Sequence, residues 1–252
     1  MICKTFFSSW LAGLLLVGLA ARADEIPVAV AANFTAPFKK IAAAFEQETG
    51  HKVVASFGST GKFYAQIRNG APFEILLAAD DETPAKLVKE GTAVGASQYS
   101  YATGKLVLWS AKPGVVDAKG EVLKGGGFDH IALADPKLAP YGAAAVEAMK
   151  KLGVYDSLAP KIVTGETIAQ AFQFVSSGNS LLGFVALAQV LKDGKIEGSA
   201  WVVPSDLYTT IRQDAVLLAP GKGKAGPLAL LQFLRSPPSQ AVITSYGYEL
   251  GK

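Results

Sequence analysis

The chain has 252 residues, 50% of them hydrophobic and 18% charged, with 24 basic and 21 acidic side chains. That is enough apolar material for a large core, which excludes a disordered chain, and the charge is too balanced for a nucleic-acid or anionic-membrane binder. A single cysteine, Cys3, excludes a disulfide scaffold and any site built from several thiolates.

Residues 1–23 read as a cleavable secretory signal. Lys4 gives the positive n-region, residues 11–19 the apolar h-region, and Ala21-Arg22-Ala23 the A-x-A form of a cleavage site. The apolar run is short for a bilayer span and meets Asp24-Glu25 at once. The expected mature protein is exported and thiol-free, with 22 basic side chains facing 21 acidic ones once Lys4 and Arg22 are removed.

From residue 26 the chain alternates strand-like and helix-like segments. Residues 26–32 form an apolar run of strand length. Phe38, Ile41, Ala42 and Phe45 then recur at helical spacing, with Pro37 in a first turn and Gly50 at a C′ position. Residues 53–57 read as a strand, 62–69 as a short helix closed by Gly70, 73–78 as a third strand, 83–90 as a helix and 106–110 as a fourth strand. The rhythm restarts with a strand at 131–134, helices at 141–152 and 166–176, and a strand at 181–185. A strand at 215–218 and helices at 227–234 and 239–246 complete the chain. This is the pattern of parallel βα units. No long linker divides it, so a second lobe must be reached by strands that cross between lobes. Crossings are expected near 103–105 and 208–213, giving one lobe from 24–103 with 213–252 and another from 104–212. Such lobes leave a cleft at strand C-terminal ends.

Four turns share one grammar, in which a strand ends, small or polar residues follow and a helix begins: AANFT at 31–35, GSTG at 58–61, APYG at 139–142 and GETI at 165–168. Helix starts leave N–H groups unpaired and carry about half a positive charge, so several aimed at one point make an anion site without any cation. FGSTGK at 57–62 is not a P-loop. Two residues separate Gly58 from Gly61 where the pattern needs four, and Phe63 follows Lys62 in place of a hydroxyl. Lys62 is expected to point to solvent. Catalytic chemistry finds little support. His51 and His130 sit at strand edges, no G-x-S-x-G elbow or metal-spaced cluster exists, and Asp80-Asp81 reads as a cap for the helix near Thr83. An exported hydrolase using Ser59, Thr60 or the Asp80-Asp81 pair would lack a placed general base.

The run VAVAANFTAPFKKIAAAFEQETGHKVVASFGSTGKFYAQIRNGAPFEILLAADDETPAKLVKEG resembles the N-terminal lobe of the periplasmic molybdate-binding proteins of ABC transporters, the ModA family. YATGKLVLWSAKPG, HIALADPKLAPYGAAAVEAMKKLG, LGFVALAQV and YGYEL carry the likeness through nearly the whole mature chain. The resemblance implies an α/β, two-lobed, type II periplasmic-binding-protein fold, each lobe a mainly parallel sheet flanked by helices and joined by two crossing hinge strands. It implies a non-enzymatic, periplasmic solute-binding protein that captures molybdate or tungstate and delivers it to a membrane permease. It also implies a monomer with no cofactor and no nucleic-acid partner; sulfate or another tetrahedral oxyanion is the alternative ligand.

By that resemblance Asn33 binds an oxyanion oxygen through side chain and backbone, Thr60 through its hydroxyl, and Tyr141 and Ile168 through backbone N–H groups. No direct bond joins molybdenum to protein. Ala32 stands where some relatives have a hydroxyl and can offer only backbone, and Ser59 is an additional candidate. Many relatives use a tyrosine where this chain has Ala186, which suggests a subgroup with asparagine in the first turn. Because only the Tyr141 backbone is implied, Tyr141→Phe is expected to matter little. The chemistry agrees with a bare dianion as ligand, since each of its oxygens can only accept. Hydrogen phosphate would leave a proton unpaired in an all-donor pocket.

Overall fold

The computed structural model describes residues 24–251; the signal-peptide expectation falls on residues 1–23, outside the described part. In chain order the elements are β1 (Glu25–Ala31), α1 (Thr35–Thr49), β2 (Lys52–Gly58), α2 (Thr60–Arg68), β3 (Ile75–Leu77), α3 (Glu82–Lys89), β4 (Tyr99–Gly104), β5 (Leu106–Ser110), α4 (Val122–Gly125), β6 (Ile131–Ala134), α5 (Pro140–Lys151) and α6 (Tyr155–Leu158). Then come β7 (Ile162–Gly165), α7 (Ile168–Ser176), β8 (Leu182–Ala186), α8 (Leu187–Val190), β9 (Leu191–Lys192), β10 (Lys195–Ile196), β11 (Ser199–Val202), β12 (Ile211–Leu217), α9 (Ala225–Leu234), α10 (Pro237–Ser245) and β13 (Glu249–Leu250).

Two sheets organise them. The first has strand order β13-β4-β12-β3-β1-β2 and the second β11-β5-β8-β6-β7. The chain leaves the first sheet at Gly104 and enters the second at Leu106, with Lys105 alone between them. It returns in β12, where Ile211 pairs with Gly104, so the two crossings lie side by side. Both sheets are mixed rather than mainly parallel. β1 runs parallel to β2 and β3, and β6 to β7 and β8, while β4, β5, β11, β12 and β13 pair antiparallel. Strands that carry the chain between sheets run against the βα units, and this breaks the parallel rule.

The parallel strands set up the cleft. β1 and β2 are neighbours in one sheet, β6 and β7 in the other, and the four predicted turns follow these strands in register. Helix α1 buries Phe38, Ile41 and Phe45 against the first sheet, each worth roughly 2–3 kcal/mol of transfer free energy. It stops at Gly50, whose φ of +75° suits the left-handed C-terminal position. The second core includes Tyr141, Ile168 and Phe184, and it continues into Ala31, Ala32 and Ala79 at the strand ends of the first sheet. The two sheets therefore share apolar packing across the cleft. Among the described residues no helix is long and apolar enough to cross a membrane.

Two local features bear on the cleft. Pro140 opens α5 at its first position, and Gly142 follows because the helix start lies against the end of β6. A Cβ at Gly142 would stand 2.1 Å from the Ala134 carbonyl oxygen. Asp80 caps α3 as its position suggests: Oδ1 accepts from the Thr83 N–H at 2.8 Å and Oδ2 from the Thr83 hydroxyl at 3.1 Å. Burial pushes its carboxyl up to about 6, against the two bonds from Thr83.

Gly142→Ala is expected to cost about 1–3 kcal/mol, read as a fall of several degrees in Tm. Asp80 gives a pH test. Its folded pKa is raised, so its contribution to stability is present below the unfolded value near 4 and is lost as pH rises through about 6. Asp80→Asn, which keeps the cap geometry, is expected to match the wild type near pH 4 and exceed it by about 2–3 kcal/mol near pH 8 in paired thermal melts.

Candidate functional site

The first turn is a short 3-10 segment, Ala32–Phe34, at the end of β1, and all three residues are buried. Asn33 lies within it at 3% exposure. Its Nδ2 donates to Gln213 Oε1 at 2.8 Å and to the Tyr248 hydroxyl at 3.0 Å, and Tyr248 donates back to the Asn33 carbonyl at 2.9 Å. Both amide hydrogens are therefore committed within the protein. These bonds hold the side chain against the turn, and the backbone N–H of Asn33 lies in a first helical turn. No local sequence pattern pointed to Gln213, and Tyr248 stood out only as part of the terminal YGYEL.

The second turn opens α2 after β2. Thr60 is buried at 1% exposure, and its Oγ1 accepts the Ala79 N–H at 3.0 Å. A hydroxyl whose oxygen already accepts from one side presents its proton on another. Among the described residues no acceptor takes that proton, so Thr60 has a hydrogen free to donate to whatever meets it. Ser59 Oγ is buried with no hydrogen-bond partner among the described residues.

The other two turns belong to the second sheet. Tyr141 and Ile168 occupy the second position of α5 and the first of α7, both buried. Thr167 caps α7 by accepting the Gln170 N–H at 3.1 Å. The N–H groups of Asn33, Thr60, Tyr141 and Ile168 all lie in a first helical turn, where no carbonyl one turn earlier exists to take them. Ala186 is fully buried; its N–H donates to Gln189 Oε1 at 2.9 Å, and Gln189 Nε2 donates to the Ile168 carbonyl at 3.1 Å. Gln189 thus orients the start of α7, a role with no signature in the sequence.

The turns meet across the cleft. The Gly61 N–H donates to the Leu138 carbonyl at 2.9 Å, joining the start of α2 to the loop before α5. Gly61 allows this approach, since a Cβ there would stand 3.0 Å from Leu138 Cα. Helix α7 packs against the Ala32–Phe34 turn. Ala31, Ala32, Ala79, Ala139, Tyr141 and Ile168 share one buried cluster. Lys62 is exposed, as expected, and from there meets Glu166 Oε1 at 2.5 Å across the cleft mouth. Both side chains are about half exposed, so the pair adds little stability, but it neutralises the charge nearest the turns.

Beneath the turns lies a neutral polar layer. Gln213, fully buried in β12, donates from Nε2 to the Tyr141 hydroxyl at 3.2 Å. The Tyr101 hydroxyl lies 2.9 Å from the Ala78 carbonyl and 3.1 Å from Gln213 Oε1. Burial holds the hydroxyls of Tyr101, Tyr141 and Tyr248 well above their ordinary pKa, so the layer carries no charge. The arrangement therefore offers fixed dipoles and no cation. It gives no nucleophile paired to a base, and among the described residues no group of three or more His, Cys, Asp or Glu side chains could hold a metal ion. A groove of about 390 Å³ runs from Gly61, Ala79, Ala139 and Pro140 at the turns out to a rim that carries Asp80, Asp81, Glu147 and Lys137.

The profile of the family described as bacterial extracellular solute-binding protein covers residues 26–249. The chain is 59% identical over 236 residues to the molybdate-binding protein ModA of Azotobacter vinelandii, covering 93% of this chain and 94% of that protein. It is 55% identical to the molybdate-binding protein ModA of Rhodobacter capsulatus, covering 93% and 92%. The solved structure of the Azotobacter vinelandii periplasmic molybdate-binding protein superposes with a TM-score of 0.88 at 42% identity, covering 90% of this chain and 100% of that one. With its two α/β lobes and paired crossing strands, the chain is a type II periplasmic-binding-protein fold and belongs to the bacterial extracellular solute-binding proteins, within their ModA branch.

Proposed function

We propose that this protein is an extracytoplasmic binding protein that captures molybdate, and tungstate with it, between its lobes and hands the anion to an ABC-transporter permease. The observation that carries this reading is that four helix starts, at Asn33, Thr60, Tyr141 and Ile168, belong to turns that touch across the two sheets, with a buried threonine hydroxyl whose proton is free to donate. Relatives at 59% and 55% identity are described as molybdate-binding proteins. In the proposed site these four residues hold the oxyanion, with the Ser59 hydroxyl as an added donor and Ala32 contributing backbone alone. The moving bodies are residues 24–103 with 213–252, and residues 104–212. Residues 1–23 serve as the export signal to the periplasm, where the protein works as a monomer. Asparagine in the first turn and alanine at 186 support a subgroup that dispenses with a tyrosine contact.

Chemistry explains why the donor set suits this ligand. Molybdate at neutral pH is a tetrahedral dianion with no proton, so an all-donor cage leaves no polar group unpaired. Hydrogen phosphate brings a donor that no backbone N–H can accept and that must take a hydroxyl lone pair or stay unpaired, at about 1–3 kcal/mol. Sulfate has the same acceptor pattern in a smaller frame, so only the size of the cage can exclude it.

Titration calorimetry of the mature protein with molybdate, tungstate, sulfate and phosphate tests the reading. Molybdate and tungstate are expected to bind alike and far more tightly than phosphate; absence of molybdate binding alongside clear binding of another solute would overturn it. Thr60→Val removes the donor while keeping the shape and is expected to weaken molybdate by about 1–3 kcal/mol, roughly 5- to 150-fold. An unchanged affinity in that variant would place the anion elsewhere.

A further inference from the structure

Gln213 hydrogen-bonds to a donor-bearing turn of each sheet. Its Oε1 accepts from Asn33 Nδ2 at 2.8 Å, and its Nε2 donates to the Tyr141 hydroxyl at 3.2 Å. It sits on β12, one of the two crossing strands, at a break in the β12–β4 register between Gln213 and Asp214. Such an irregularity re-aims a side chain. The opposite crossing is shaped to admit the contact, since a Cβ at Gly104 would stand 1.9 Å from the Tyr141 hydroxyl and 2.6 Å from Gln213 Nε2. The amide is fully buried. A satisfied buried network of this kind fixes a single arrangement more firmly than exposed ion pairs do.

From this we infer that Gln213 is a positioning residue that sets the separation between the Asn33 and Tyr141 N–H groups and thereby the size of the oxyanion cage, so that it selects the larger tetrahedral anion over sulfate. The inference rests on the proposed molybdate function. The Tyr141 backbone faces the anion while its side chain reaches the hinge, so a hinge contact fixes where that N–H stands. An anion that fills the cage touches donors from both lobes at once and loses affinity when their spacing relaxes. A smaller anion reaches fewer donors together and has less to lose. The Tyr141 hydroxyl therefore matters although only its backbone faces the ligand, contrary to the expectation from sequence that Tyr141→Phe is neutral.

The test uses the mature full-length protein, wild type and two variants, Gln213→Met and Tyr141→Phe. For each, molybdate affinity is measured by calorimetry, and sulfate is titrated against the molybdate-loaded protein to find the sulfate-to-molybdate ratio at half displacement. Tyr141→Phe removes a single hydroxyl and keeps the test standing if Gln213→Met fails to fold. Both variants are expected to weaken molybdate by about tenfold, the worth of roughly one hydrogen bond, and to lower the half-displacement ratio by a similar factor. A lost fold or a merely structural defect would weaken both anions together, so an unchanged ratio in the folded variants overturns the inference while leaving wild-type molybdate binding, and the proposed function, intact. Wild-type protein that binds no molybdate overturns both.

Discussion

A buried N–H without an acceptor costs a few kcal/mol, and helix starts supply such groups whether or not a protein needs them. Most folds let water or a capping side chain take them. Here four helix starts lie in turns that touch across the two sheets, with Asn33, Thr60, Tyr141 and Ile168 buried, and only Thr167 among the four cap positions accepts with its side chain. Everything else follows from that constraint. Adjacent parallel strands are needed to bring two starts together in each sheet. A paired crossing is needed to face the sheets, and small residues are needed where the turns touch. Gly61 against Leu138 and Gly142 against Ala134 show how close the approach is.

The electrostatics have the same logic. A dianion could be held by arginines, but a buried cation carries a desolvation penalty of its own and would attract any anion of similar charge. Dipoles fixed by secondary structure need no reorganisation, and because they only donate they distinguish a bare oxyanion from a protonated one. Lys62 is taken up by Glu166 at the cleft mouth, and the tyrosines below are held neutral by burial. Charge is thus kept off the site on both sides.

Much of this was legible in the sequence, and the parts that were not share a cause. Helical periodicity located α1, and the apolar runs located β5 and β6 at the bounds the structure has. The four turns were readable because each combines a strand end, small residues and a helix start. β4, β7, β11 and β13 went unread: β4 is interrupted by Ser100 and Gly104, and β13 has two exposed residues held by pairing with β4. Such strands exist because of their neighbours, which no local window contains. The partners of Lys62 and Asn33 were unreadable for the same reason. Glu166 and Gln213 lie 104 and 180 residues away, so the ion pair and the committed amide belong to the tertiary fold alone. Gln213 carried no local mark, although it ties together turns that could be read singly.

The most direct test of the central claim is a crystal grown with molybdate, with the anion located by its metal anomalous signal. The account predicts a single strong peak between the lobes, within hydrogen-bond reach of the N–H groups of Asn33, Thr60, Tyr141 and Ile168 and of the Thr60 hydroxyl, with no cationic side chain in contact. A peak coordinated by lysine or arginine, or one in the groove beside Asp80 and Glu147, would contradict it.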